Sequence, residues 1–151
     1  MAVHGVSRAT QDIDLLTTSR ECLRDEFWKP LRDAGMEIDV REGEHDDPLA
    51  GVVRIHSATQ GTSIDIIIGR SSWQTSITAR AQTRDVDGVA LPVAEPSDLV
   101  LLKLYAGGMQ DRWDIAQLLA TSTSLANRVD ARVTELPQPC QELWNELRAL
   151  A

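Results

Sequence analysis

The chain has 151 residues, of which 42% are hydrophobic and 25% charged, values that suit one globular domain with its own core. Its 15 basic and 23 acidic residues give a net charge of −8, which argues against a nonspecific nucleic-acid binder because phosphate contacts dominate that affinity. No apolar run approaches the roughly 20 residues of a membrane span, no signal peptide is recognisable, and Cys22 and Cys140 lack metal-ligand spacing, so we expect a cytoplasmic protein with reduced thiols.

The first predicted strand carries two acids in the run GVSRATQDIDLLT, residues 5–17. Because strand side chains alternate, Asp12 and Asp14 should point to one side of the sheet and Ile13 to the other. Two adjacent like charges favour a divalent cation between them, and Mg²⁺ prefers carboxylate and phosphate oxygens. The alternative is a chance pair at a solvated strand end, which is common in acidic chains.

The residues after this strand predict a helix. Thr18 and Glu21 have the spacing of a capping box, and apolar residues follow at helical spacing over residues 22–34. Pro30 should kink or split this helix, and Gly35 should end it.

One further strand and then a hairpin are predicted next. Residues 36–41 alternate as in a half-exposed strand, and the turn at 59–62 should join a strand over 51–58 to the run SIDIIIG, residues 63–69. Asp65 is the lone acid of that apolar run. We therefore expect Asp65 to join the two earlier acids in a three-carboxylate metal site.

The last part of the chain is predicted to be mostly helical. A short helix over 71–81 and a hairpin with a tight Asp87-Gly88 turn precede it. A nearly all-apolar helix then begins at Pro96 and contains a single cation, Lys103, which either extends to solvent or reaches an anion. Further helices are predicted to start at Asp111 and to cover residues 124–136 and 139–150.

These elements predict an α/β fold of the α+β kind, with a mixed sheet, flanking helices and a helical C-terminal third. We expect a single domain over residues 1–151. Within it, residues 1–95 would form the sheet-containing core and residues 96–151 the C-terminal helices.

Three runs in this order, HGVSRATQDIDLL, SIDIIIG and EPSDLVLLKLYAGGMQDRWDIAQLL, resemble the small nucleotidyltransferases of the DNA polymerase β-like superfamily. The closest likeness is to the AbiEii toxin-like and minimal nucleotidyltransferase branches, over roughly residues 1–120. The resemblance implies a nucleotidyltransferase-like mixed sheet and Mg²⁺- or Mn²⁺-dependent transfer of a nucleoside monophosphate from an NTP to an RNA, such as tRNA, or to a protein. It also implies a cognate toxin or antitoxin partner.

The resemblance also implies roles for individual residues. Asp12, Asp14 and Asp65 match the three catalytic, metal-binding acids of the family. Lys103 matches a position that is often basic in this branch, where contact with the nucleotide phosphates is expected.

Four other residues have open roles. Arg8 and Thr10, in the lead-in to the first acids, are expected to bind nucleotide, although a salt bridge that shapes the turn explains Arg8 equally well. Asp111 and Asp114 match acids at a helix start, for which a structural cap is the preferred interpretation.

One feature departs from the family pattern. The family has a Gly-Gly or Gly-Ser turn that cradles phosphates, several residues before the position of Met1. Either the start is set too late or the protein lacks this half of its nucleotide site. The alternative functions are accordingly a catalytically impaired relative that acts as an antitoxin or binding partner, and a two-metal phosphohydrolase or nuclease.

Overall fold

The computed structural model describes residues 12–57 and 63–150, with the backbone alone described for Asp12. Its main sheet has four strands in the order β1-β4-β3-β2. β1 is parallel to β4, whereas β3 is antiparallel to both of its neighbours. The predicted α/β fold with a mixed sheet is therefore confirmed. The strands are β1 (Asp12–Thr17), β2 (Met36–Glu42), β3 (Leu49–Ser57) and β4 (Ser63–Gly69).

One face of this sheet forms an apolar core. The inward residues of the two central strands alternate with outward ones, of which Arg54 and Asp65 are charged and Val52 and Ile67 are apolar. Trp28 covers this face, and its indole Nε1 donates a hydrogen bond to the Cys22 carbonyl oxygen at 2.7 Å. Burial of each aliphatic side chain stabilises the folded state by about 1.5–3 kcal/mol, so packing on this face stabilises the sheet. The buried strand residues are Ala50, Val53, Ile55, Ile66 and Ile68.

The predicted helix over residues 22–34 is wrong for residues 22–28, whereas the predicted split at Pro30 and the end at Gly35 are confirmed. Two 3₁₀ turns, Arg20–Leu23 and Asp25–Trp28, precede a short α1 (Lys29–Asp33). Pro30 lies in the first turn of α1, where its missing N–H costs nothing and its ring disfavours an α-helix that continues from the preceding residues. No hydrogen bond of the predicted Thr18–Glu21 capping box is found among the described contacts. The Ser19 backbone N–H donates to Thr17 Oγ1 at 3.1 Å.

The remaining elements follow β4. The predicted Asp-Gly hairpin is confirmed: Asp87 and Gly88 both have positive φ, of 53° and 83°, as a tight two-residue turn requires. The helix predicted over 71–81 is also confirmed as α2. These elements are α2 (Ser72–Arg80), β5 (Gln82–Val86), β6 (Val89–Val93), α3 (Pro96–Ala106), α4 (Met109–Ala120), α5 (Leu125–Asp130) and α6 (Gln138–Leu150).

Among the described residues, α3 is the centre of the C-terminal helices. It contacts α4, α5 and α6, and its Val100, Leu101 and Leu104 side chains are buried. Gly107, with φ of 67°, ends α3 in the left-handed conformation that favours glycine. Within the described ranges, every helix is too short or too polar to cross a lipid bilayer.

The chain divides into two compact units between Ala79 and Arg80. The first holds the four-stranded sheet, and the second holds the β5–β6 hairpin and helices α3 to α6. The hairpin therefore groups with the helices, whereas the sequence-based subdivision at residue 95 placed it with the sheet. The assignment of residues 1–151 to one domain stays a prediction.

Candidate functional site

A row of four charged residues crosses the main sheet. Asp14 of β1 is the register partner of Asp65 in β4, and Asp65 is the partner of Arg54 in β3. Arg54 is in turn the partner of Asp39 in β2. Register partners lie on the same face of a sheet, about 5 Å apart in the backbone. From β1 to β2 the row therefore consists of two acids, then an arginine, then a third acid. All four lie on the face opposite the apolar core.

Asp65 and Arg54 form a two-point ion pair at the centre of this row. The guanidinium Nε donates to Asp65 Oδ1 and Nη2 donates to Oδ2, both at 2.7 Å. The Asp65 side chain is 21% exposed and that of Arg54 is 51% exposed. These hydrogen bonds hold the pKa of the Asp65 carboxyl below its usual range, so it is ionised at neutral pH.

The structure therefore brings two of the predicted acids to adjacent positions. Asp14 is exposed and lies directly across from Asp65. The backbone of Asp12 is paired with that of Ser63, two residues along the same strands, while its side chain lies outside the description. Predicted nucleotide-binding residues Arg8 and Thr10 also lie outside the described residues.

The chemistry of these acids fits a hard divalent cation. Carboxylate oxygens are the protein ligands that Mg²⁺ and Mn²⁺ prefer. Among the side chains that the structure describes, no three His, Cys, Asp or Glu residues are grouped so as to hold a metal ion. The predicted set of Asp12, Asp14 and Asp65 includes one side chain beyond that description, so the donor type fits and the complete set stays a prediction.

Lys103 belongs to the helical unit, and its ammonium is already engaged. Its Nζ donates to Asp114 Oδ2 at 2.6 Å and to Asp111 Oδ1 at 3.2 Å. Asp114 is fully buried and the Lys103 side chain is 15% exposed. Asp111 also accepts a hydrogen bond from the Gly108 backbone N–H at 3.2 Å, which agrees with the structural cap preferred for it. The pair thus joins α3 to α4, and phosphate contact by Lys103 stays a prediction.

Sequence reasoning did not single out Arg54. The predicted turn over residues 59–62 would place His56 opposite Asp65, whereas the observed register places His56 opposite Ser63 and Arg54 opposite Asp65. A polar position flanked by Val53 and Ile55 was the available signal for an outward-facing arginine. Only the register of the hairpin identifies its partner.

A second charged cluster, also missed, surrounds Asp98 at the start of α3. Asp98 is fully buried and accepts hydrogen bonds from Arg80 at 2.8 and 3.1 Å and from Arg132 at 3.2 Å. Arg132 also donates to Glu95 at 2.9 Å and lowers the pKa of that carboxyl, while Asp98 raises the pKa of Arg80. These charges neutralise one another, so the cluster is a structural support of the helix start.

A shallow pocket of about 280 Å³ lies beside this cluster. Its polar walls include Gln82, Arg84 and Glu95, which are bonded in series: Arg84 donates to Gln82 and Gln82 donates to Glu95, both at 2.9 Å. Because its acid and its bases lie side by side, the pocket favours neither an anion nor a cation. The sheet face with Asp14 and Asp65 is therefore the stronger candidate site.

No protein-family model matches the chain, and no curated protein matches it either. The resemblance to nucleotidyltransferases consequently depends on the three sequence runs quoted above.

Proposed function

We propose that the protein is a cytoplasmic, metal-dependent nucleotidyltransferase that moves a nucleoside monophosphate from an NTP to an RNA or protein acceptor. The observation that carries this proposal is the parallel register of β1 and β4, which sets Asp14 beside Asp65 on the sheet face opposite the apolar core. The order of the sequence runs supports it, and so does the ionised state of Asp65. A toxin–antitoxin partner is part of the same proposal.

Each acid has a distinct role in this proposal. Asp12 and Asp14 would hold Mg²⁺ or Mn²⁺ with the triphosphate, and Asp65 would complete the carboxylate set. When bound, the divalent cations supply neutralisation of the phosphate charge and polarisation of the attacking hydroxyl. Because Arg54 lowers its pKa, Asp65 is a better ligand than proton acceptor. Arg8 and Thr10 would bind nucleotide phosphates.

Labelled NTPs test this function directly. Transfer of label to total RNA or to protein in a cell extract, with Mg²⁺ or Mn²⁺, is expected from the wild type. Asp14→Asn should reduce transfer by at least about 100-fold, since cation stabilisation of transferring phosphate is worth several kcal/mol. Asp39→Asn is the matched control, because it removes an equal charge from the same sheet face at the far strand.

The outcomes of this experiment separate the alternatives. Asp39→Asn should retain wild-type transfer, and circular dichroism should show both variants folded. Equal transfer by Asp14→Asn and the wild type contradicts the proposal. Phosphate or pyrophosphate release without any labelled acceptor indicates hydrolysis instead.

A second candidate function is that of a non-catalytic antitoxin or binding partner with the same fold. The observation that favours it is the two-point contact by which Arg54 engages both oxygens of Asp65. Such a protein would bind Mg²⁺–NTP weakly or not at all, and Asp14→Asn would leave that binding unchanged. Calorimetric titration with Mg²⁺–NTP therefore discriminates between the two functions.

A further inference from the structure

Arg54 is a cation placed within the row of acids. Asp65 lies on one side of it and Asp39 on the other, each as a register partner. Asp39 also accepts a hydrogen bond from Arg41 Nε at 2.8 Å, so this second acid has its own arginine. Arg54 instead donates to Asp65, the acid that borders Asp14.

This contact competes with a divalent cation for the same oxygens. Both carboxylate oxygens of Asp65 accept a hydrogen bond from the guanidinium, and a cation held by Asp14 and Asp65 needs at least one of them. Like charges repel at this distance, and a guanidinium does not lose its proton in proteins. Each oxygen keeps a second lone pair, so the competition is electrostatic: the paired guanidinium opposes a cation at Asp65, and its departure removes that repulsion.

The position of Arg54 allows this move. Its side chain is about half exposed, so water can solvate the guanidinium when it leaves Asp65. Its planar donors match two phosphate oxygens as well as they match a carboxylate. A nucleoside triphosphate that arrives with the cation supplies that replacement partner.

We propose that Arg54 exchanges partners when substrate binds. In the free protein it pairs with Asp65, and once the cation occupies Asp65 it pairs with triphosphate oxygens. This inference rests on the proposed nucleotidyltransferase function and adds a phosphate-binding residue that the sequence did not indicate. The exchange makes the site favour a cation that arrives with nucleotide over a cation alone. The exchange therefore requires Arg54 to weaken the binding of the cation alone and to strengthen the binding of the cation–nucleotide complex.

Substitution of Arg54 in the full chain tests the exchange. Binding of Mn²⁺ alone, and of Mn²⁺ with a non-hydrolysable NTP analogue, is measured by calorimetry and by electron paramagnetic resonance. Arg54→Gln should bind Mn²⁺ alone about fivefold more tightly, because an exposed competing ion pair is lost. It should bind the Mn²⁺–nucleotide complex about tenfold more weakly, because a two-point phosphate contact is lost.

Arg41→Gln is the matched control. It removes an equal positive charge from the same face of the sheet but contacts Asp39 rather than Asp65. Both affinities should change less than about twofold in this variant, because exposed charges further from the site are screened. When Asp14→Asn is combined with either arginine variant, the Mn²⁺ signal should disappear, which assigns that signal to this site.

Each result supports or overturns the exchange. Weaker binding of Mn²⁺ alone by Arg54→Gln means that the arginine merely orients Asp65, and equal changes in Arg54→Gln and Arg41→Gln mean a general charge effect. Either result overturns the exchange while nucleotide transfer by the wild type still upholds the proposed function. Conversely, opposite shifts without any transfer uphold the exchange and reject the enzyme. Absence of Mn²⁺ binding in all variants rejects both.

Discussion

The ionisation of Asp65 depends on one side chain from the neighbouring strand. In the sequence, Asp65 is a lone acid among isoleucines, and such a residue would ordinarily resist ionisation when buried. In the structure it remains partly exposed and accepts two hydrogen bonds from Arg54, which outweigh the effect of burial on its pKa. The same carboxyl is therefore a permanent anion at physiological pH.

This pair predicts a defined pH dependence of stability. Because the folded state lowers the pKa of Asp65, the pair stabilises the fold above the ordinary carboxyl pKa of about 3.9 and loses that contribution as pH falls below it. The contribution should be small, about 0.5 kcal/mol, since the guanidinium is half exposed. Urea unfolding at pH 6.5 and pH 3 measures it.

Two variants make this measurement specific. Asp65→Asn removes the titrating group, and Arg54→Gln removes its hydrogen-bond donor. Both should lose less unfolding free energy than the wild type between pH 6.5 and pH 3, by a similar amount. A loss equal to that of the wild type in both variants would show that the ion pair adds no stability in solution.

Two connections between elements depend on single residues. Pro30 replaces one long helix by two 3₁₀ turns and α1, so the cover of the sheet is irregular and uses Trp28 as its main buried side chain. At the α3–α4 corner, Gly107 reverses the chain and Lys103 joins the helices through Asp114. The second connection is buried, and buried ion pairs are costly to break.

Replacement of Lys103 distinguishes a structural role from the predicted phosphate contact. Lys103→Met should destabilise the fold by about 3 kcal/mol in urea unfolding, because it leaves the buried Asp114 charge without this ammonium. Lys29→Met is the control, since the Lys29–Asp33 pair is exposed and its loss should cost less than about 0.5 kcal/mol. Wild-type stability together with weakened NTP binding by Lys103→Met would instead support the phosphate role.

At the scale of the whole molecule, the acid excess limits how an RNA acceptor can be held. The chain carries 15 basic and 23 acidic residues, and many of its arginines are bonded to carboxylates. Nonspecific affinity for nucleic acids comes from neutralised phosphates, so we expect little of it from this protein. An RNA substrate would be bound at the site itself, through cation and nucleotide.

Fluorescence anisotropy with a labelled single-stranded RNA tests this limit. In EDTA and 0.15 M salt, we expect no saturable binding below about 100 μM protein, which is the weak end of ordinary nonspecific binding. A micromolar affinity that falls steeply with added salt would contradict this expectation and reveal a basic surface. Bovine serum albumin serves as an acidic control protein.

Much of the local structure was predictable from the sequence because it depends on neighbouring residues. Strand alternation identified the strands that carry Asp14 and Asp65, and the Asp87-Gly88 pair identified a hairpin turn. Helix stops at Gly35 and Gly107 follow from the left-handed conformation that glycine tolerates. These rules depend on residues that are close together in the chain, so the sequence alone is enough to apply them.

The tertiary structure decided the partners. Arg54 and Asp65 are 11 residues apart, as are Lys103 and Asp114, and no local rule selects these contacts over others. A shift of two residues in the hairpin would place His56 beside Asp65 and give the site a different charge. The register is chosen by how the apolar residues of β2, β3 and β4 pack together, and that packing exists only in the folded chain.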